Sequence, residues 1–371
     1  MTGASQNIEN KTDRFYFPDL DGLRFFAFLL VFLHHFPEMK HIPFLSAIQR
    51  IGWMGVDLFF VLSAYLFTKL LLAEFRKTNS IDFRKFYLRR IFRIWPVYFF
   101  AIIVSFTEHI FSRGFDSELL IRVIGQFTFT YNLMAAFLPS YGMPYSHHLW
   151  SIAYEMQYYF LVPLIILILV RAKAGTGKIL FGFAFVLFNG IRIAMIASET
   201  PTPAIWVLPV SHFESILLGM VMGFGGLDFL LTFLKPIHIF LLGIALFFSL
   251  HLLPDLSHNA WPIIISYSAA GLSTSFILLA TLNSPELQHF FSLKIWVFPG
   301  KRSYGLYLFH IFGIILVSYC LRKSALSGEG LLSFVLSFSF IFLVAVLSYR
   351  FLETPFLKLK KKFEVISSRP V

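Results

Sequence analysis

Apolar runs of about 17 to 25 residues recur from one end of the chain to the other, each long enough to cross a bilayer as a helix. The pattern predicts helices over 21–37, 52–72, 92–111, 150–170, 179–197, 212–234, 237–253, 262–282, 303–321 and 332–352. One further stretch, "LLIRVIGQFTFTYNLMAAFL" (119–138), is long enough to span but is diluted by Arg122, Gln126, Asn132 and several threonines. It reads better as a re-entrant or interfacial segment whose polar groups find partners in protein. The expected fold is therefore all-α: a polytopic integral membrane protein with about ten transmembrane helices. The helices fill nearly all of the length, giving one membrane domain (18–357) between an N-terminal tail (1–17) and a basic tail (358–371). No internal repeat or low-complexity tract is evident.

Composition agrees with the pattern. The chain is 57% hydrophobic and only 14% charged, with a mean hydropathy of +0.73. A soluble domain carries nearer to about 25% charged residues. The 48 phenylalanines suit helices that face acyl tails. The first twenty residues are polar and lack a signal-peptide core, so the first helix is expected to be retained. Cys320 is the single cysteine, which excludes an internal disulfide.

The net charge of +11 raises the question of nucleic acid, but its location answers it. Between Lys69 and Arg93 there are eight basic residues against Glu74 and Asp82, and "KLKKK" lies at 358–362. Short basic segments beside membrane helices mark the cytoplasmic side. With 119–138 left out of the spans, the 69–93 loop, 171–178, 294–302 and the tail all fall on that side. The expectation is a multi-pass protein of the inner membrane with both termini cytoplasmic and no nucleic-acid partner.

The first helix, "DGLRFFAFLLVFLHHF" (21–36), carries Arg24 and His35, eleven residues apart and so close to three whole turns. They share one face, roughly 16 Å apart along the axis. Arg24 falls toward the cytoplasmic side and His35 in the outer half. Glu155, Arg192, His212 and Glu214 are also expected in the outer half, and ionisable residues at such depth face a cavity or a partner. At the mouth of the third helix, "FYLRRIFRIWPVYFF" (86–100) sets out Arg89, Arg90 and Arg93. They can anchor the helix at the interface, or pair with phosphate through their planar guanidiniums. In "HHLWSIAYEMQYYFLVP" (147–163), Glu155 can partner a buried arginine or fix a histidine tautomer. His310 in "SYGLYLFH" and Glu353 in "YRFLETPF" read as packing residues.

Taken in order, these stretches together with "GWMGVDLFFVLSAYL" (52–66) resemble the membrane acyltransferase-3 family, whose members O-acylate sugars and other acceptors. The resemblance runs from about residue 18 to 357. The family's arginine–histidine signature falls on Arg24 and His35, its arginine cluster on Arg89, Arg90 and Arg93, and its tryptophan–serine–glutamate motif on Trp150, Ser151 and Glu155. Ala64 stands where the family usually has glycine, which bears on close helix packing there. Some members append an extracellular esterase-like domain, which is not expected in a chain of this length.

The resemblance implies an O-acyltransferase that takes an acyl group, most often acetyl, from acyl-CoA (acetyl-CoA as co-substrate, no metal). It passes the group to a hydroxyl of a surface polysaccharide or lipid-linked glycan. Histidine can act as base or nucleophile near neutral pH. His34 points about 100° away from the Arg24 face, so His35 is the catalytic choice, with Glu155 orienting or charge-balancing the histidine or an arginine. Arg24, Arg89, Arg90 and Arg93 would hold the CoA phosphates, and Trp150, Arg192, His212 and Glu214 would line the acceptor's approach. A transporter of an anionic or acylated substrate would also explain Arg24, His35 and Glu155. It predicts two related halves with interrupted helices, and the sequence does not have them. A non-catalytic sensor predicts an attached soluble output domain.

Overall fold

Proline opens the first helix. Pro18 takes a first-turn position where its missing N–H is no loss, and Asp19 and Asp21 complement the positive end of the helix dipole in α1 (Pro18–His35). The computed structural model describes residues 16–37, 42–137, 145–253, 260–324, 326 and 330–366. Most of the 1–17 tail and the last five residues of the basic tail lie outside the described residues. After α2 (Pro43–Ile51), α3 (Met54–Thr78) ends on Asn79 in the left-handed region, φ 53°. Asp82 then caps α4 (Phe83–Arg113), accepting a hydrogen bond from the Lys85 N–H at 2.9 Å. That bond holds the Asp82 carboxyl below the usual carboxylate range.

The 119–138 stretch is two short helices, α5 (Ser117–Phe127) and α6 (Tyr131–Phe137). They are broken around Phe129, whose φ is 56°. Neither piece reaches the ~20 residues a span needs. The polar residues that diluted the stretch find partners within the protein. The Gln126 amide donates to Ser146 Oγ at 2.7 Å, and the Asn132 amide donates to the Val207 carbonyl at 3.2 Å.

Next come α7 (Trp150–Arg171), α8 (Thr176–Ala197), α9 (Thr202–Val207), α10 (Glu214–Gly223), α11 (Leu230–Phe233) and α12 (Pro236–Ser249). The chain continues with α13 (Ala260–Asn283), α14 (Pro285–Phe291), α15 (Lys294–Gly300), α16 (Ser303–Lys323), α17 (Gly330–Ser348) and α18 (Thr354–Lys360). There is no strand among the described residues, and the fold is that of an all-α, multi-pass membrane protein. Seven helical runs are long and apolar enough to cross a bilayer: α3, α4, α7, α8, α13, α16 and the run that α17 begins. The other three expected spans fall on α1, which carries Asp19, Asp21 and Arg24, and on the shorter α10 and α12.

One expectation needs correcting: 212–234 is not one helix. It ends at Gly223 and turns through Gly225, whose φ of 81° only glycine adopts without strain.

Helix α3 packs against α1, α10 and α13, while α16 packs on α17 and α1. These central helices are largely buried, 61% of the apolar window in α3 against 6% in α8, whose bulky apolar side chains face outward. The alanine at position 64 is accommodated from the other side. A Cβ added to Gly219 of α10 would sit 2.7 Å from the Ala64 Cβ, so the glycine on the facing helix keeps the close approach at Ala64.

Candidate active site

Two cavities lie toward the two ends of α1, and no described residue lines both. The inner one takes Asp21 and Arg24 from α1, Ser63 from α3, Arg90 and Arg93 from α4, and Lys360 from α18. Helical periodicity supplies the rest of its wall. Ser151, Glu155 and Tyr159 follow at intervals of four on α7, and Tyr304 and Tyr307 at three on α16, so each set shares one face. Glu155 meets the hydroxyls of Ser63 and Tyr159 and lies in the field of Arg24 and Arg90. Sequence reasoning expected it in the outer half beside the histidine or an arginine; it lines the inner cavity with the arginines.

The cations of this cavity are held differently. Arg24 pairs with Asp21 at 3.2 Å, Arg93 with Glu353 at 2.8 Å and Lys360 with Glu364 at 3.3 Å. Arg90 makes no ion pair among the described residues. Its guanidinium lies over the Phe67 ring at 4.5 Å, and its Nε is buried without a hydrogen-bond partner.

Arg89, expected to act with Arg93, does not line the cavity. It donates to Glu74 at 3.1 Å and to the Phe363 carbonyl at 2.9 Å, tying α3 and the C-terminal segment to α4. At 100° per residue, Arg93 lies between Arg89 and Arg90 in angle, so spacing alone cannot choose between them. The carboxylate of Glu74 decides.

The outer cavity, about 1120 Å³, has a different lining. Three tryptophans and a tyrosine form one wall: Trp206 meets Trp53, Trp150 and Tyr267 at ring-centroid distances of 5.2, 5.6 and 5.6 Å. His34, His35, His147, Gln49 and Arg50 also line it. The Gln49 amide donates to the carbonyls of Leu33 and Phe36, satisfying the exposed carbonyl end of α1. His34 Nδ1 donates to the Gln49 carbonyl at 2.9 Å. His35 Nδ1 lies 2.9 Å from the Val31 carbonyl. A carbonyl only accepts, so Nδ1 carries the hydrogen and Nε2 keeps its lone pair.

Between the cavities, Ser151 and Tyr307 join hydroxyls at 2.6 Å, and the Tyr307 hydroxyl also donates to the His148 carbonyl at 3.1 Å.

Of the four residues expected along the acceptor's approach, Trp150 lines the outer cavity. Arg192, His212 and Glu214 line neither cavity. Charges buried this deeply need partners more than they need access. Arg192 pairs with Glu214, and His212 donates to Asp57 at 2.9 Å. The His212 ring stacks on Tyr267 at 4.1 Å and the Arg192 guanidinium lies 5.3 Å from the same ring. The trio therefore braces the cavity wall from behind. Sequence reasoning gave no site role to Asp57, Trp53, Trp206, Tyr267 or Lys360. Asp57 was visible as a lone carboxylate in an apolar run, whereas the aromatics were indistinguishable from interfacial ones.

Comparison with known proteins gives a consistent result. The acyltransferase-3 profile, described as an acyltransferase domain, matches residues 17–350. The chain is 30% identical to the O-acetyltransferase OatA of Staphylococcus aureus strain NCTC 8325 / PS 47, over 96% of this chain and 59% of that protein. The OatA proteins of strains COL and MRSA252 give the same figures. This chain thus spans 59% of the length of the curated relatives it matches. No solved structure matches. With the profile covering all but the ends of a membrane-embedded helical bundle, the chain belongs to the acyltransferase-3 family.

Proposed function

We propose that this chain is a membrane O-acyltransferase that accepts an acetyl group from acetyl-CoA at the inner cavity. It passes the group to a hydroxyl of a carbohydrate acceptor, a surface polysaccharide or lipid-linked glycan, at the outer cavity. The protein would sit in the inner membrane of a bacterium with both termini cytoplasmic, so that the inner cavity opens to the compartment that holds CoA. The observation that carries this reading is the division of labour along α1. A guanidinium without an ion pair among the described residues, Arg90, lines the cavity with Arg24, Arg93 and Lys360 at one end, and a histidine whose Nε2 keeps its lone pair faces a cavity at the other. The name of the Staphylococcus aureus relatives supports acetyl as the group carried.

The chemistry follows from these groups. His35 Nε2 takes the proton of the acceptor hydroxyl as the oxygen bonds to the thioester carbonyl carbon. The carbon–sulfur bond then breaks, and the departing thiolate takes up a proton, leaving an ester and free CoA thiol. At about 210 Å³ the inner cavity is smaller than the ~300–1,000 Å³ that encloses a drug-sized ligand. It suits the slender arm of CoA, with the nucleotide end left outside at the basic rim.

The test is acyl transfer by the purified protein in lipid nanodiscs, read as thiol release and as acyl mass gained by a glycolipid acceptor. His35→Ala should reduce turnover by about 10²–10⁴-fold at unchanged thermal stability. Full turnover in that variant would overturn the role of His35. Substrate crossing the membrane with no thiol released would point to transport instead.

A further inference from the structure

We propose that His310 is a positioning residue: it accepts the Nδ1 hydrogen of His35 and so locks His35 in the tautomer whose Nε2 is free to take a proton. The inference rests on the acyl-transfer reading for its purpose, but its geometry stands by itself.

His310 lies on α16, a helix remote in sequence from α1, and is fully buried. Its Nδ1 is 2.6 Å from the Tyr307 carbonyl, which can only accept, so that nitrogen carries the hydrogen. A neutral imidazole has one hydrogen, which leaves the His310 Nε2 with a lone pair. That lone pair lies 3.3 Å from His35 Nδ1. Since His35 Nδ1 also faces the Val31 carbonyl at 2.9 Å, its hydrogen is shared between two acceptors, one on its own helix and one on α16. Each assignment forces the next. The Tyr307 carbonyl sets His310, and His310 with the Val31 carbonyl sets His35.

Packing holds the arrangement in place. The ring of His148 meets His310 at 4.6 Å, and Phe28 contacts it from α1 at 6.4 Å, so His310 has little room to turn over. The Val31 carbonyl alone is a partner that moves with α1. The second acceptor, on α16, fixes the His35 ring relative to the rest of the protein, as second-tier partners fix the imidazoles of metal and hydrolase sites. The residue touches neither cavity, and its side-chain hydrogen bond toward the outer one runs through His35.

The experiment uses the full chain in nanodiscs with three proteins: the unaltered chain, His310→Phe and His310→Gln. Phenylalanine keeps a ring of similar size and removes the acceptor, whereas the glutamine amide oxygen can accept from His35 Nδ1. His310→Phe should lower kcat by about tenfold or more and leave both KM values within about twofold. His310→Gln should recover most of the lost kcat. A second readout needs no acyl transfer: diethyl pyrocarbonate modifies the unprotonated nitrogen of a histidine, and mass spectrometry follows the adduct at His35. Its rate should fall several-fold in His310→Phe and return in His310→Gln. Equal loss in both variants together with lowered thermal stability would make His310 a packing residue and overturn the proposal, as would unchanged labelling in His310→Phe. Normal labelling behaviour without turnover in any of the three proteins would sink the acyl-transfer reading and leave the positioning role standing.

Discussion

The two cavities meet the same problem, polar groups at membrane depth, with opposite means. The inner one is narrow and charged: three of its four cations form ion pairs with carboxylates, and the fourth, Arg90, forms none among the described residues. The outer one is wide and walled by aromatic rings, its charged reinforcements Arg192, Glu214, His212 and Asp57 kept behind Tyr267. For the polyanionic donor proposed above, paired charges at the cavity surface would hold a place open without leaving the empty site strongly charged. Rings backed by buried charge give a firm, nearly neutral face suited to a ligand of hydroxyls and apolar ring edges. The difference teaches that membrane-depth charge takes two places in this fold, on the cavity surface at one end and behind the cavity wall at the other.

The comparison makes distinct demands on variants. The largest effect should come from Arg90→Gln, which removes the cavity cation that forms no ion pair among the described residues. Losing a charge-assisted contact of roughly 1.5–3 kcal/mol should raise the KM for acetyl-CoA about tenfold or more and leave the acceptor KM unchanged. A weakened acceptor with normal donor kinetics would reverse the assignment of the two ends. A smaller, opposite change is expected from Trp206→Phe, which thins the central ring of the outer wall. Acceptor KM should rise about fivefold, on the order of 1 kcal/mol, with donor KM unmoved in the same steady-state assay. The smallest effect on either substrate belongs to Arg89→Gln. It strands Glu74 and should cost about 3 kcal/mol of stability by thermal unfolding, with both KM values within twofold. A rise in donor KM matching that of Arg90→Gln would return Arg89 to the phosphate site.

Much of this organisation was legible in the sequence because it is local. Arg24 and His35 lie on one helix, and their eleven-residue spacing fixed their common face and their separation before any tertiary contact was known. The failure of 119–138 to form one helix was legible too, from Gln126 and Asn132. The glycines at 223, 225 and 226 also held the signal that 212–234 would break, but the hydropathy of the run outweighed it. Arg89 and Arg90 could not be told apart, because the deciding group, Glu74, comes from another helix. The same holds for Arg192 and His212: a charge in an apolar segment signals the need for a partner or a cavity, and only the fold says which. Lys360 read as part of a topology signal, and only the fold shows that the continuation of α17 past the bulge at 349–353 brings it to the cavity of Arg90 and Arg93.

The Ser151–Tyr307 contact has a consequence for the membrane as an insulator. In the proposed orientation the two cavities would admit water from opposite sides, so the transmembrane voltage would fall mainly across the side chains that separate them, Ser151 and Tyr307 among them. Each elementary charge pays about 2.3 kcal/mol per 100 mV to cross it against the field. An acetyl group is uncharged and passes without sensing the voltage, while the polyanionic remainder of the donor and the ions of either compartment are held back. Under that proposal the septum would separate cargo from carrier by charge, and a bundle hollowed from both ends would deliver acyl groups outward without becoming a leak.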